Sequence, residues 1–283
     1  MTGGPSRHHV AHEATLAVAP AQAVAGWEAP AVVPPLAPAT VHVWRASVVR
    51  CAPAAAAFRD VLDQAECDRH TRFHFARDAD RYLVAHVLMR VLLGSYAGRP
   101  PADLAFDIAA HGKPSLRGGT RPIAFNMSDT REQVLCATSV GIEVGVDAEA
   151  WDREMTEEEL FLTAETAFSS AERETLRAAD PLDRHRTFFT TWTRKEGYIK
   201  ATGEGVARGL DHFDVSADAQ VACLQADRRD PDATRRWGMR PLDIGPEVSA
   251  ALVWDRLSGG ACPAIALLEV TPVLLEALRA SRA

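Results

Sequence analysis

Two carboxylates close the apolar run VGVDAEA (144–150) with one residue between them, Asp147 and Glu149. In a strand, residues i and i+2 share a face, so both acids project together. Two like charges held that close are either hydrated at a solvated strand end or face a cation. Further along, WTRKEGYIKATGEG (192–205) sets Glu196 and Lys200 four residues apart on one helical face, with Lys195 beside them. Alone, that spacing describes an ordinary surface ion pair. Trp192, Tyr198 and Ile199, however, form an apolar stripe that half-buries the same helix. A third carboxylate then becomes available from a separate element. Three oxygen donors on a strand and a helix, with water completing the shell, suit octahedral Mg²⁺, and Mg²⁺ held this way points to a phosphate-bearing substrate.

Those groups must be positioned by a folded scaffold, and the bulk composition supports one. The chain has 283 residues, 47% hydrophobic and 24% charged. No apolar run approaches the ~18–20 residues that span a bilayer. No basic stretch followed by an apolar segment opens the chain, so a cytoplasmic protein without membrane association is expected. The cysteines at 51, 67, 136, 223 and 262 are odd in number and form no C-x-x-C pair, which fits reduced thiols. A formal charge of −7 argues against a broad nucleic-acid surface but allows local arginine and lysine clusters for a small anion.

Residues 1–40 are rich in Ala, Pro and Val and read as a flexible leader, mobile or loosely docked and dispensable for chemistry, its His8, His9 and His12 solvated tail residues. From Val41 the pattern turns regular. VHVWRASVV suggests a strand, and AAAAFRDVLDQAECDRH and DADRYLVAHVLMRVLLGSYAG suggest helices, the second ending at Gly98. PIAFNMS, QVLCATSV and EVGVDAE follow as short strands. Thr156 with Glu159, and Ser169 with Glu172, have capping-box spacing. A helix is expected from near Pro181 to Gly203, and HFDVS, QVACLQA, EVSAALVW and AIALLEV return to strands. This order predicts an α+β fold of two similar halves, 41–143 and 144–283, each an antiparallel sheet packed on a long helix. The segment 151–168 offers Leu160, Phe161 and Phe168 either to its own core or to a partner.

The ordered series HGKPSL (111–116), FNMSDT (125–130), VGVDAE (144–149) and WTRKEGYIKATGEG (192–205) resembles the 4'-phosphopantetheinyl transferases of the long, Sfp-type class. The likeness extends over roughly 41–270, with RFHFARDADRYLVAHVLMR (72–90) matching the first long helix and GVARGLDHFDV (205–215) the turn and strand after the signature helix. The resemblance implies a monomeric pseudo-dimer with coenzyme A in the cleft between halves. It also implies transfer of the phosphopantetheine arm to a serine of an acyl, peptidyl or aryl carrier protein of fatty-acid, polyketide or peptide synthesis, releasing adenosine 3',5'-bisphosphate. By matching position, Asp147, Glu149 and Glu196 would hold Mg²⁺ (or Mn²⁺ in its place). Glu196 would also serve as general base, Lys200 would stabilise the departing anion, and Lys195 would give electrostatic support. Arg69, Arg72, Arg81, Lys113, Pro114, Ser128, Asp129 and Thr130 would contact coenzyme A.

Two positions depart from the family pattern. Asp129 stands where the family carries a histidine that touches the pyrophosphate, which exchanges an attraction for a repulsion. Either Asp129 turns away or joins the metal shell, or the protein is a degenerate relative that binds coenzyme A or a carrier without transfer. Gly197 stands where Ser or Ala is usual, at a cost of roughly 0.5–1 kcal/mol within a helix. The chain has no glycine-rich phosphate loop of familiar spacing, which disfavours an unrelated nucleotide enzyme.

Overall fold

A computed structural model describes residues 26–151, 154–256 and 260–280. The first 25 residues, and with them the three leader histidines, lie outside the described residues. In chain order the regular elements begin with β1 (Thr40–Ser47), α1 (Val48–Ala55), α2 (Gln64–Thr71) and α3 (Ala76–Ala97). Five short strands follow: β2 (Phe106–Ile108), β3 (Pro114–Leu116), β4 (Ile123–Asp129), β5 (Gln133–Val140) and β6 (Val144–Ala150). Three helices come next, α4 (Glu157–Ala167), α5 (Ser170–Ala178) and α6 (Arg184–Thr202). The chain ends with β7 (Phe213–Val215), β8 (Leu224–Asp227), α7 (Ala233–Arg236), β9 (Trp237–Pro241), β10 (Val248–Asp255), β11 (Ala264–Val270) and α8 (Pro272–Ala280). The fold is mixed α+β, as the sequence pattern leads one to expect.

Local signals explain most boundaries. Asp63, Thr156 and Ser169 each cap a helix reciprocally with a glutamate three residues on. Both long helices stop at a left-handed glycine, Gly98 after α3 and Gly203 after α6, where a side chain would be strained. Pro181 opens a 3₁₀ turn, so α6 itself starts at Arg184. The expected single helix over 54–70 is instead interrupted by a 3₁₀ segment, Ala56–Val61.

Two sheets carry the architecture. The larger has the order β11-β1-β5-β4, with α3 packed on it around Trp44, Phe125 and Leu88. The smaller has the order β6-β10-β9, with α6 lying across β6 and β10. A second apolar cluster of Val43, Leu135, Val146 and Trp254 fills the space between the sheets. The division at 143 needs one correction. Strand β11 crosses back to pair in parallel with β1, Thr40 opposite Ala264, so the last residues complete the sheet of the first half. The end of the leader is also held: Glu28 bridges Leu268, Trp27 Nε1 donates to the Asp243 carbonyl, and Leu36 is buried. Burying those apolar groups against the sheet outweighs the freedom that Pro-rich chain would otherwise keep.

Two glycines let α6 reach β6. A Cβ on Gly145 would overlap the Gly197 carbonyl oxygen and sit 2.5 Å from the Ala201 nitrogen. The helix backbone therefore rests directly on the strand backbone. This is what brings the middle of α6 within reach of the strand-end acids.

Candidate active site

Asp147 is buried on β6, and its two oxygens have different fates. Oδ1 accepts from Lys200 Nζ at 2.6 Å and from Ser128 Oγ at 3.0 Å. Oδ2 is enclosed and has no hydrogen-bond partner. An anionic oxygen left bare inside a protein is costly unless a cation or donor reaches it. Glu149, two residues on and half-buried, has its pKa pushed up to about 7, first by burial and then by the Asp147 charge, with smaller contributions from Glu196 and Asp129. Glu196 on α6 is shifted upward as well, by burial first and then by Asp147. Three carboxylates thus crowd one another, and Lys200 is the ammonium that relieves them.

Strand β4 supplies the floor. Asn126 Oδ1 accepts from the Val146 amide at 2.8 Å, and Ser128 Oγ accepts from the Ala148 amide at 3.2 Å. These side chains stand in for a ladder between two strands of different sheets. They lock β6 in place around Asp147 and fix the acid's rotamer. Ser128, expected to donate to an anionic ligand, instead donates to Asp147. Thr130 is buried, and its backbone N–H bonds the Gln133 carbonyl.

Asp129 turns outward and pairs with Arg81 Nε at 2.9 Å; a second nitrogen of Arg81 reaches Asp78 at 3.4 Å. The carboxylate that replaces the family histidine therefore arrives with its own guanidinium. Arg69 and Arg72 are exposed, Arg69 lying over the Tyr82 ring. Lys113 Nζ spans Glu143 at 2.7 Å and the Ala201 carbonyl at 2.9 Å, and Pro114 opens β3 beside it.

One assignment from the sequence is corrected. Lys195 is completely enclosed, its ammonium bonded to Glu172 at 2.6 Å and to the Phe213 carbonyl at 2.7 Å. Adjacent residues on a helix point about 100° apart, so Lys195 leaves the acid face when Glu196 occupies it. Its role is to join α6, α5 and β7. Leu160 and Phe168 are core residues, and Phe161 packs against them beneath Arg184.

Two cavities open near these residues, the first reaching the cluster at Glu149. One, of about 600 Å³, is lined by Arg81, Asp129, Thr130, Glu149 and the aromatic face of Phe188, Phe189 and Trp192. The other, of about 820 Å³, lies by Lys113, Pro114, Gly203 and the glycine-rich turn at 118–119. Sequence reasoning did not find the aromatic wall beyond Trp192; the run FFTTW at 188–192 was the available signal.

The acids fit a hard divalent cation by chemistry: all donors are carboxylate oxygens, one buried oxygen is bare, and the local charge calls for compensation. Among the described residues, no cluster of three or more His, Cys, Asp or Glu is drawn close enough to hold a metal ion. Lys200 takes up part of that compensation on Asp147 instead. No helix among the described residues is long and apolar enough to cross a membrane.

Sequence comparisons agree across both halves. Residues 143–252 match the 4'-phosphopantetheinyl transferase superfamily, and residues 49–141 match the N-terminal region of 4'-phosphopantetheinyl transferase. The chain is 32% identical over 178 residues to 4'-phosphopantetheinyl transferase HetI of a Nostoc species, covering 62% of this chain and 73% of that protein. It is 31% identical over 244 residues to a phosphopantetheinyl transferase of a Thraustochytrium species, covering 81% and 84%. To 4'-phosphopantetheinyl transferase Sfp of Bacillus subtilis it is 28% identical over 187 residues, covering 65% and 80%.

Proposed function

The chain belongs to the 4'-phosphopantetheinyl transferase superfamily, and from that membership we propose that it moves the phosphopantetheine arm of coenzyme A onto a serine of an acyl, peptidyl or aryl carrier protein. The serine oxygen attacks the phosphorus that bears the arm, the bond to the nucleotide's bridging oxygen breaks, and adenosine 3',5'-bisphosphate leaves. The observation that carries the reading is the cluster itself: Asp147 with one bare oxygen, Glu149 and Glu196 shifted upward, Lys200 bonded to Asp147, and a cavity that opens at Glu149.

The residues divide the labour. Lys113, Pro114 and the turn at 118–119 line the cavity assigned to the nucleotide end. Lys200 meets the diphosphate, where its ammonium offsets charge growing on the departing oxygen. The Arg81–Asp129 pair borders the other cavity and presents a guanidinium toward the phosphates. The aromatic wall of that cavity gives the pantetheine arm an apolar track and keeps water from competing with the serine. Glu196, made more basic by burial, takes the serine proton. Asp147, Glu149 and Glu196 are the residues that would hold Mg²⁺ or Mn²⁺, which when bound neutralises the diphosphate and polarises its phosphorus. Ser128 and Asn126 act through others, by holding β6 and the Asp147 rotamer.

The degenerate-relative alternative rested on Asp129 as an uncompensated negative charge at the phosphate site. The ion pair with Arg81 offsets that charge and so supports the transfer reading. Incubation of an apo carrier protein with coenzyme A and MgCl₂ should add the mass of one phosphopantetheine arm. Glu196→Gln should slow that gain at least ~100-fold, the range for loss of a general acid–base group. Full activity in Glu196→Gln would remove both of its assigned roles.

A further inference from the structure

A third cavity, of about 310 Å³, opens along the outer edge of β9 and shares no lining residue with the two described above. Its walls are apolar and aromatic, with Trp237, Met239 and Trp254 the largest groups, and no carboxylate lines it. Two arginines do. Arg240 is only 7% exposed, and among the described residues its guanidinium has neither a hydrogen-bond nor an ion-pair partner. Arg256 touches the Trp237 carbonyl at 3.4 Å, the Gly260 carbonyl at 3.5 Å and Cys262 Sγ at 3.5 Å, all long contacts.

Other buried arginines are given partners, and Arg194, which also lacks a carboxylate, is held by carbonyl and hydroxyl oxygens. Buried Arg90 is held by Asp63 and Glu66, and buried Arg208 by Glu204 and Asp227. The chain carries 38 acids against 31 Lys and Arg, so carboxylates are not scarce. Arg240 keeps its guanidinium nitrogens in touch with solvent at the cavity, and a ligand that supplies a counter-ion to so little-exposed a cation gains by pairing it. The loop that forms one wall is itself anchored, because Arg194 Nη1 donates to the Ser216 carbonyl at 2.5 Å and the Val221 carbonyl at 3.4 Å. That wall of the cavity is therefore fixed.

We propose that this cavity binds a small organic anion, an oxyanion carried on a flat apolar body, with Arg240 and Arg256 taking the charge and the apolar lining taking the ring. Guanidinium matches the paired oxygens of a carboxylate or a phosphate ester. The volume admits one aromatic ring with its anionic group but not a nucleotide of coenzyme size. Thr234 and Gln220 add a hydroxyl and an amide to the lining. This site is independent of the transferase reading, since no residue is common to both.

The cysteines provide the test. Cys223 and Cys262 line the cavity and are exposed, whereas Cys67 lies elsewhere and is half-buried. The full chain is alkylated with a maleimide, and each thiol is followed by mass spectrometry with phenyl phosphate, benzoate or inorganic phosphate added. Phenyl phosphate or benzoate should slow labelling of Cys223 and Cys262 at least threefold, saturably, and leave Cys67 unchanged. Whichever of the two protects better assigns the headgroup. Arg240→Met should abolish the protection while leaving the thermal midpoint equal or higher, because an unpaired charge has been removed. Arg256→Gln, at a more exposed position, should weaken protection with the fold intact. The proposal is overturned if neither aromatic anion protects, if inorganic phosphate protects as well as phenyl phosphate, or if protection survives in both variants.

Discussion

Replacing Glu149 by glutamine should change how stability depends on pH, and in a direction unusual for an acid. Most native carboxylates are held below their ordinary pKa and stabilise the fold as pH rises. Glu149 is pushed the other way, from 4.5 to about 7, by burial and by Asp147. Between those values the folded protein holds a proton that the unfolded chain has released, so stability falls as pH rises through the window. A tenfold change in proton affinity is worth ~1.4 kcal/mol, which gives about 3 kcal/mol across this window, and partial exposure reduces this to roughly 2 kcal/mol. For a chain of this size that corresponds to roughly 4–8 °C in Tm. Thermal melts of wild type and Glu149→Gln without divalent cations should therefore converge near pH 5. By pH 8 the wild type should melt lower by that margin. Millimolar MgCl₂ at pH 8 should close most of the gap, because a cation stabilises the ionised form that burial penalises. Parallel curves from pH 5 to 8 would show that Glu149 does not share a crowded anionic site.

Three further outcomes follow from the same geometry. Gly145→Ala forces a methyl into the α6 backbone, so denaturant unfolding should show a loss of ~3 kcal/mol or more, with transfer lost alongside it. Lys195→Met leaves Glu172 buried without its cation and should cost about 3–5 kcal/mol by the same measurement, whereas Lys195→Met with Glu172→Leu should recover most of it. Arg81→Ala leaves Asp129 uncompensated and should raise the KM for coenzyme A by about tenfold, while Arg81→Ala with Asp129→Ala should return part of that loss, as expected of a coupled charge pair.

The parts of the molecule written in local pattern were readable before any coordinates. The two predicted capping boxes, the stop at Gly203 and the α+β order all depend on neighbours within a few positions. What escaped depends on distance along the chain. Strand β9, WGMRP, is short and contains both Gly and Pro, so no strand signal rises above background; pairing with β10 creates it. The parallel pairing of β11 with β1 is a choice of partner that periodicity does not encode. Lys195 was assigned with its neighbours in the motif, although helical geometry alone turns it to another face. The Arg81–Asp129 pair joins a helix to the edge strand of the sheet it packs on, and nothing near either residue announces it. Gly197, which looked like a small penalty, lies where a Cβ would press Val253 at 3.2 Å, so its absence of side chain lets the signature helix settle.

Strand β11 has a consequence for how the polypeptide is made. β1 sits between β5 and β11, and one of its edges is satisfied only by residues 264–270. While the ribosome is still adding the central helices, that edge stays open with its amides and carbonyls unclaimed. The first-made sheet thus waits for a segment made much later, and synthesis halted before residue 264 leaves a sticky border with no natural mate.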